Sequence, residues 1–321
     1  MIYKLKENRV RRSYLGGARI DKFYGKEKCE NAYLPEDWIG SVVEANNPGD
    51  VISGEGLGVT ETGEFVKDIL SEKGKMPFLL KMLDSAERLV IQAHPTVEFA
   101  KKAFNSEYGK TECWYFLDCD DDACVYLGFK PGITREKWEK LFELRDSDGL
   151  LDCLHKINVK KGDVVFVDGG VPHAIGGGSL MLELQEPTDL MVCGEMVTPS
   201  GRVLAEEKVH GGLGFVKMFD CFIYDSYTEN EIRDKFIIKP VIEDGITHLI
   251  YDKYTEKFAM DELSYGKYSF ESDKLAVVLE GEGDLMSESG EISLKKGDKL
   301  FLTKGEKIIL PDSKIKLLIC G

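Results

Sequence analysis

The chain has 321 residues, of which 43% are hydrophobic and 31% charged, a composition typical of folded globular proteins and unlike that of disordered or fibrous ones. At roughly 150 residues per domain, this length predicts two domains. The 42 basic and 57 acidic residues leave a formal charge of −15, which excludes nucleic acid and anionic membrane surfaces as general partners. An anionic substrate therefore requires a local cluster of Lys or Arg.

Cysteine usage and the lack of long apolar segments indicate a compartment. The eight cysteines are too few for a disulfide scaffold, form no C-x-x-C pair and are interpreted as small core residues. The first residues carry charges but no apolar core, and no stretch approaches about 18 uninterrupted apolar residues. We therefore expect a cytoplasmic protein that is neither exported nor membrane-spanning.

Short runs of Val, Ile, Leu, Phe and Tyr, separated by Gly and Asp, predict β-strands along most of the chain. The clearest runs are 77–83, 88–94, 113–118, 124–129, 163–169, 179–185, 274–281, 299–305 and 314–320. Many short strands joined by tight turns favour a sandwich or a barrel. The sequence is thus predicted to be mainly β.

Helices are predicted as short insertions between the strands. After His94, Pro95 suits the first turn of a helix, and the apolar residues at 100, 103 and 104 fall on one face. In a second segment, Thr134 is a candidate N-cap, and Trp138, Leu141 and Phe142 form the buried stripe.

An internal repeat indicates that the two predicted domains are related. Residues 157–173 (INVKKGDVVFVDGGVPH) and 292–308 (ISLKKGDKLFLTKGEKI) share the pattern I-x-[VL]-K-K-G-D-x-[VL]-F-[VL]. Ordinary Gly-Asp turn chemistry is the alternative explanation, but the matching register of the apolar residues argues against it. Ile308 occupies the position of His173, so the second copy is expected to keep the fold without that histidine.

Four side chains with nitrogen or oxygen donors stand on or beside predicted strands. Gln92 and His94 are two residues apart and project from one strand face, Glu112 begins a strand, and His173 follows a turn. Such a mixed set suits Zn²⁺ or another first-row divalent ion. Each residue alone is more often structural; the combination favours a metal site. The other histidines (His155, His210 and His248) have no comparable setting and are interpreted as non-ligands.

Three segments resemble the type I phosphomannose isomerases. IQAHPTVEFA is similar to the family's V-Q-V-H-P segment, GKTECWYFLD to its G-K-T-E-C-W-Y segment, and GDVVFVDGGVPHAIGGGSLMLELQE to its segment ending in E-x-Q. The resemblance covers residues 10–190 well and the remainder by architecture. It implies two cupin-like, jelly-roll β-barrels: a metal-binding N-terminal domain, here 1–235, and a degenerate, metal-free C-terminal domain, here 236–321.

The resemblance also implies roles for individual residues. Gln92, His94, Glu112 and His173 match the zinc ligands of the family, with one Zn²⁺ per chain, and Lys110 matches an active-site lysine. Without the motif, Lys110 would be interpreted as a solvated turn lysine. The implied substrate is a phosphorylated hexose, and the implied activity is that of a metal-dependent isomerase for mannose 6-phosphate and fructose 6-phosphate.

The implied reaction moves a proton between C2 and C1 through an enediol, and a divalent metal stabilises the developing negative charge. Lys110, Glu183 and a metal-bound hydroxide are all conceivable bases. Cationic groups must bind the phosphate, and the candidates are Lys110, Arg202 and Lys81.

One position departs from the family pattern. An active-site arginine is expected about ten residues beyond Glu183, and Cys193 stands there. The nearest arginine is Arg202, nine residues further on. Either Arg202 turns into the site, or the site has lost the guanidinium. We therefore name Lys110, Glu183 and Arg202 as the predicted catalytic residues.

Two other functional classes stay open. A histidine pair with one carboxylate also resembles the iron site of non-haem oxygenases, although Gln92 as a further ligand leaves less room for O₂ and substrate. The second alternative is a cupin that binds sugar or regulates without catalysis, which the missing arginine favours. Turnover without oxygen separates the isomerase from the oxygenase, and turnover of any sugar phosphate separates the isomerase from a binding protein.

Overall fold

Antiparallel β-sheets make up most of the protein, in a computed structural model that describes residues 1–28, 32–47, 52–72, 75–288, 290–311 and 314–321. The prediction of a mainly β fold with short helices is confirmed. Seven of the cysteines are free, and six of these are buried, as expected for core residues. Cys29 lies outside the described residues.

The strands follow one another closely along the chain. Those in the first half are β1 (Ile2–Lys4), β2 (Arg9–Val10), β3 (Glu36–Ile39), β4 (Leu79–Ser85), β5 (Gln92–Ala93), β6 (Glu112–Cys119), β7 (Cys124–Phe129) and β8 (Leu154–Asn158). Next come β9 (Val164–Val167), β10 (His173–Ile175), β11 (Ser179–Gln185), β12 (Val192–Cys193), β13 (Ile237–Ile238), β14 (Val241–Glu243), β15 (Ile246–Ile250) and β16 (Met260–Leu263). The last are β17 (Gly266–Ser269), β18 (Lys274–Glu280), β19 (Glu282–Ser287), β20 (Gly290–Lys295), β21 (Lys299–Leu302), β22 (Lys307–Leu310) and β23 (Lys316–Cys320).

These strands form four sheets. In strand order, sheet I is β12-β5-β10-β7-β8, sheet II is β13-β9-β6-β11-β4-β3-β2, sheet III is β1-β21-β18-β23-β16-β15-β14 and sheet IV is β17-β22-β19-β20. Within the described part of the chain, each sheet is open, and none closes on itself into a barrel.

Hydrophobic clusters stack the sheets in the order I, II, III, IV. One cluster joins β7 of sheet I to β6 of sheet II, the largest joins β4 and β11 of sheet II to β18 and β21 of sheet III, and another joins sheet III to β19 and β22 of sheet IV. Helices cover the outer face of sheet I through a further cluster. The protein is therefore a pair of two-sheet units that pack against each other through the cluster between sheets II and III.

The chain crosses between the two units in two places. Residues 2–4 form the edge strand of sheet III by pairing with β21. Residues 237–238 form the edge strand of sheet II by pairing with β9. Each unit thus has an edge strand from the part of the chain that otherwise forms the other unit.

Alternation along β6 decides which side chains reach the space between sheets I and II. Trp114 and Phe116 pack toward sheet I, whereas Cys113 and Tyr115 pack toward sheet III. Because side chains alternate with a period of two, Glu112 projects on the side of Trp114. The same interior therefore has an apolar end and a polar end.

The repeated segments occupy equivalent places in the two units. The first forms β8 of sheet I and β9 of sheet II, and the second forms β20 of sheet IV and β21 of sheet III. Gly162 and Gly297 adopt φ of 92° and 91° in the two turns. In each turn the aspartate that follows accepts a hydrogen bond from the amide three residues earlier, at 3.0 and 3.2 Å. The repeat is therefore one structural unit used twice.

The helices are short and lie mainly between strands. They are α1 (Arg19–Phe23), α2 (Val66–Ile69), α3 (Val97–Phe104), α4 (Arg135–Glu143), α5 (Ser147–Asp152), α6 (Glu206–His210), α7 (Phe215–Met218) and α8 (Glu229–Phe236), with a 3₁₀ turn at Phe219–Cys221. No described helix combines the length and apolar character needed to cross a bilayer.

Two local predictions differ in outcome. Thr134 caps α4 as predicted, because its side chain accepts a hydrogen bond from the amide of Lys137. By contrast, Pro95 lies before α3 rather than in its first turn, because Thr96 supplies the side-chain acceptor that caps the helix.

The predicted strand 88–94 is also shorter in the structure, where only Gln92 and Ala93 form β5. The amide of Ile91 donates to the carboxylate of Glu195 instead of to a neighbouring strand. This side-chain contact accounts for the late start of the strand.

Candidate functional site

The four predicted donors meet where sheets I and II face each other. Gln92 and His173 are direct partners in the pairing of β5 with β10. His94 follows β5 at once, and Glu112 begins β6 on the opposing sheet. Strand register within sheet I and alternation within sheet II therefore bring together residues that are far apart in sequence.

Three of these donors form a compact buried triad. The Nε2 atoms of His94 and His173 lie 3.2 Å from Oε2 and Oε1 of Glu112, respectively. All three ligand atoms lie within 4.8 Å of one another, and the three residues are at most 2% exposed. This geometry brings two imidazoles and one carboxylate to a single point.

The protonation pattern of the triad fits a divalent cation. Nδ1 of His94 lies 2.9 Å from the carbonyl oxygen of Leu190, and Nδ1 of His173 lies 2.9 Å from that of Val171. A carbonyl only accepts, so each Nδ1 carries the proton and each Nε2 presents a lone pair.

Burial strengthens this fit. It is the main cause that lowers the pKa of His94 to about 4, and it lowers the pKa of His173 as well, so both rings are neutral near pH 7. Glu112 Oε1 is buried and has no hydrogen-bond donor among the described residues. Two nitrogen lone pairs that face a carboxylate favour a cation between them. Imidazole nitrogens and carboxylate oxygens are also the ligand atoms of Zn²⁺ sites.

Gln92 belongs to the same cluster. Its side-chain amide nitrogen lies 3.3 Å from Nε2 of His173, and the residue is 8% exposed. An amide group can present its oxygen to a cation after rotation about the last side-chain bond.

Lys110 is buried beside the triad and is not a solvated turn residue. It is 5% exposed, and its Nζ lies 2.8 Å from Nε2 of His94, 2.7 Å from Oε2 of Glu112 and 3.6 Å from Oε1 of Glu183. Burial lowers the pKa of Lys110, but the charges of Glu112 and Glu183 outweigh burial and hold this pKa above its usual range. Lys110 is therefore an ammonium ion in the resting site.

A row of buried ion pairs continues from Lys110. Nζ of Lys81 lies 3.0 Å from Oε1 of Glu183 and forms an ion pair with it. The same Nζ lies 3.9 Å from Oε2 of Glu36. Arg12 pairs with Glu36 at 2.9 Å and with Asp189 at 2.8 Å. Positive and negative groups thus alternate from the triad to the outer edge of sheet II.

Two carboxylates of this row, Asp189 and Glu36, are held in the charged form. Burial raises the pKa of Asp189, but the charges of Arg12 and Lys81 outweigh burial and lower this pKa to about 2. The pKa of Glu36 is likewise held below its usual value, against burial, by Arg12 and Lys81.

One cavity of about 360 Å³ opens onto the triad and the ion-pair row. Residues from the triad region, from the row and from α6 line it, including Gln92, His94, Lys110, Glu183 and Lys208. This volume is in the range that small-molecule sites occupy. The cavity places a bound molecule against the triad and the ammonium of Lys110.

Two predicted candidates do not reach the cavity as expected. Arg202 is exposed in a turn closed by the bridge between Val197 and Val203, and it does not line the cavity. Of the two alternatives for the position of Cys193, this arrangement favours a site that has lost the guanidinium, and a role of Arg202 stays a prediction. Cys193 is fully buried in β12, opposite Gln92, and burial raises the pKa of its thiol to about 12.

The sequence analysis missed Arg12, Glu36 and Asp189. Their ion pairs join residues 24 and 177 positions apart, and no local motif marks such contacts. The one sequence feature that pointed to any of the three was the position of Asp189, in the segment that follows the E-x-Q strand. Lys81 was proposed as a residue that binds the substrate phosphate, but in the structure it forms an ion pair with Glu183.

A buried two-histidine, one-carboxylate triad between antiparallel sheets, with an ammonium beside it, defines a class of β proteins built to hold a divalent metal. Comparison with known proteins identifies the family. The profile of the catalytic domain of type I phosphomannose isomerase matches residues 16–115. Mannose-6-phosphate isomerase ManA of Bacillus subtilis is 33% identical over 237 residues, 73% of this chain and 71% of that protein. The chain belongs to the type I phosphomannose isomerase family.

Further relatives agree with this assignment. The putative mannose-6-phosphate isomerase YvyI of Bacillus subtilis is 30% identical over 260 residues, 76% of this chain and 73% of that protein. Among solved structures, mannose 6-phosphate isomerase from Bacillus subtilis superposes with a TM-score of 0.76 at 21% identity and covers 100% of this chain and 99% of its own. A mannose 6-phosphate isomerase bound with zinc and yttrium gives 0.73 at 14% identity, covering 99% and 98%. The predicted family is confirmed.

The triad generates a prediction about metal content. After exposure to zinc and removal of the excess, the wild-type protein should hold one equivalent per chain, measured by elemental analysis. His94→Ala and His173→Ala should each lose most of it, because each removes one of the two imidazole ligands of the site. His248→Ala, which removes a histidine paired with Asp261 outside the triad, is the control and should keep the full equivalent. A full equivalent in folded His94→Ala protein would contradict this ligand set.

The ion-pair row generates a prediction about acid stability. A carboxylate whose pKa is lowered on folding stabilises the protein above its ordinary pKa, and this contribution disappears as the pH falls through the lowered value. For Asp189 this stabilisation is lost as the pH falls from 3.8 to about 2. The free energy of unfolding of Asp189→Asn should therefore lie below that of the wild type by about 2 kcal/mol or more at pH 6.

This difference should narrow as the pH falls below 4, in urea unfolding at pH 6, 4 and 3. The exposed Asp121 provides the matched control, since Asp121→Asn should leave the free energy of unfolding nearly unchanged at each pH. A difference for Asp189→Asn that stays constant from pH 6 to pH 3 would argue against an ionised Asp189 in the folded row.

Proposed function

We propose that the protein is a metal-dependent aldose-ketose isomerase that interconverts mannose 6-phosphate and fructose 6-phosphate. Membership of the type I family supports this activity. The observation that carries it is the buried triad, whose two neutral histidine nitrogens and one carboxylate converge beside a protonated lysine in a cavity of about 360 Å³. This arrangement can stabilise negative charge on a small oxygen-rich substrate.

Zinc is the metal that we propose for this site, held by Gln92, His94, Glu112 and His173. The donor types suit Zn²⁺, and one structural relative was solved with zinc. When bound, the metal supplies Lewis-acid stabilisation of the negative charge that develops on the substrate oxygens. The carbonyl groups of Leu190 and Val171 fix the orientation of the two histidine rings.

Lys110 is assigned an electrostatic role. A base must be unprotonated before it takes a proton, and the neighbouring carboxylates keep Lys110 charged. An ammonium buried at the cavity wall can instead donate hydrogen bonds to substrate oxygens at C1 and C2 as their charge increases.

Glu183 is assigned as the base. It lines the cavity as a carboxylate between Lys81 and Lys110, at 3.0 and 3.6 Å. In the direction from the aldose, its carboxylate takes the proton from C2 while O1 takes a proton from a water molecule, which gives the enediol and a hydroxide ion. Glu183 then returns its proton to C1 as O2 gives its proton to that hydroxide, and the ketose results with no net change in protons. Lys110 and a metal-bound hydroxide are the competing bases.

The proposed roles of Glu183 and Lys110 are tested by amide and alanine variants. Glu183→Gln should lower kcat by about 10²–10⁴-fold, because general acid–base catalysis contributes this much. Lys110→Ala should lose on the order of 2.7–4 kcal/mol of transition-state stabilisation. Both should keep one equivalent of metal. Glu87→Gln, a carboxylate at the cavity rim, is the control for charge removal.

Exchange of substrate hydrogen with solvent separates the two roles. In deuterated water the wild type should incorporate deuterium during isomerisation, and Glu183→Gln should lose incorporation and turnover together. A Glu183→Gln protein that keeps more than about a tenth of the wild-type kcat would exclude Glu183 as the base.

The activity itself is tested with purified protein and mannose 6-phosphate, before and after chelation and after zinc is returned. We expect turnover to fructose 6-phosphate in air and without oxygen, loss on chelation and recovery with zinc. Turnover only with oxygen would favour the iron oxygenase, and no turnover of any hexose phosphate by the zinc-loaded protein would favour a binding protein.

We also propose the finer architecture that the sequence predicted. The pair of sheets I and II is assigned as the metal-binding cupin and the pair of sheets III and IV as its metal-free copy, with the division after residue 235. Support comes from the shared turn geometry of the repeat and from α8, which ends at Phe236. A cytoplasmic location is likewise proposed, supported by the seven free cysteines.

A further inference from the structure

The cationic side chains that line the cavity differ in whether their charge is already paired. These side chains are Arg12, Lys81, Arg88, Lys110 and Lys208. The first four each hold a carboxylate oxygen within 3.0 Å. Within the described ranges, the Nζ atom of Lys208 takes part in none of the ion pairs or hydrogen bonds. Its ammonium is therefore available to a ligand.

Lys208 is held beside the site by its helix. It lies in α6, which packs against β12, and its backbone carbonyl oxygen is 3.9 Å from Sγ of Cys193. Cys193 is the register partner of Gln92 across β12 and β5. The backbone of Lys208 thus contacts β12, the strand that pairs with the one carrying Gln92. Its half-buried side chain lines the cavity.

Two guanidinium groups act on Lys208 together with groups of the opposite sign. Partial burial lowers the pKa of Lys208 first, and the charges of Arg12 and Arg202 lower it further, with Asp189 and Cys193 acting in the opposite direction. Glu207 is the neighbouring carboxylate of α6 that also lines the cavity, and it is exposed. An anion placed at Lys208 would relieve the repulsion among these cations.

The proposed substrate brings such an anion into a protein with a formal charge of −15. A phosphate needs cationic donors to offset this overall field. Paired cations have their charge compensated and their donors already in use, whereas an unpaired ammonium can donate up to three hydrogen bonds.

We propose that Lys208 binds the phosphate group of the substrate and so determines the preference for phosphorylated over free hexoses. This inference rests on the proposed isomerase function. It assigns the reacting carbons to the triad, Lys110 and Glu183, and the phosphate to α6. In this assignment Lys208, and not Arg202, is the residue that binds the phosphate.

The test uses the full-length, zinc-loaded protein and inorganic phosphate as the probe. Its dissociation constant is measured by calorimetry, and its inhibition constant against mannose 6-phosphate by kinetics. Lys208→Gln should weaken phosphate binding at least tenfold and raise KM for mannose 6-phosphate by a similar factor, with kcat within about threefold of the wild type. Lys208→Arg should restore phosphate affinity to within threefold, because guanidinium also binds phosphate.

Lys217 provides the matched control, since it is an exposed lysine on the nearby α7. Lys217→Gln removes the same charge and should leave the phosphate constants unchanged. Phosphate affinity of Lys208→Gln within twofold of the wild type would overturn the proposal. A larger loss in Arg202→Gln than in Lys208→Gln would also overturn it, in favour of Arg202.

Failure of the isomerase function gives a different result. If the wild type binds phosphate and does not convert mannose 6-phosphate, the isomerase proposal is wrong, and the calorimetric comparison still decides whether Lys208 binds the phosphate. Equal zinc content and equal thermal midpoints of Lys208→Gln and Lys217→Gln establish that both variants are folded. If Lys208→Gln is unfolded, Lys208→Met replaces it with the same expected loss.

Discussion

The site depends on a single buried row of alternating charges. From Asp189 through Arg12, Glu36, Lys81 and Glu183 to Lys110, each charged group has an oppositely charged neighbour within 3.9 Å. Several kcal/mol are needed to bury one unpaired ion, and pairing along the row offsets that penalty. The pKa values of Glu36 and Asp189 are therefore held low, and that of Lys110 is held high, before substrate arrives. The same row places Glu183 between the amines of Lys81 and Lys110.

Secondary-structure geometry makes the row possible at the edge of a well-packed core. Along β6, the side chains that face sheet I change from Glu112 to Trp114 and Phe116, and along β11 they change from Glu183 to Met181. The period of two of a strand thus places polar and apolar groups in the same interior, one after the other. The apolar end stabilises the pair of sheets, and the polar end needs only a few residues at the ends of strands.

Local sequence signals predicted the strands and the four metal donors, because each signal lies within one segment. Alternation placed Gln92 and His94 on one face, a strand start marked Glu112, a turn marked His173, and the family motifs agreed with all four. The sequence could not predict partners that meet only after folding, such as Arg12 with Asp189, 177 positions apart. Arg202 was chosen because it is near Cys193 in sequence, but tertiary packing places Lys208 at the cavity wall instead. Distance along the chain was a poor guide to which cation faces the cavity.

The repeat shows what the second unit contributes to the first. Ile308 packs in the core where the first copy has His173, and the two are 1% and 0% exposed. The second unit instead supports the first from behind: Nζ of Lys257 donates to Thr111 at 2.6 Å and to Glu186 at 2.7 Å.

Thr111 lies between Lys110 and Glu112, and its amide also donates to Glu186 at 2.9 Å. The buried pair of Lys299 with Asp37 forms a second link between the units, from β21 to β3. The contacts of Lys257 restrict the backbone between Lys110 and Glu112, which carry the proposed ammonium and metal donor. Although it has Ile308 in place of the histidine, the second unit therefore supports the residues of the proposed reaction, because it restricts their positions.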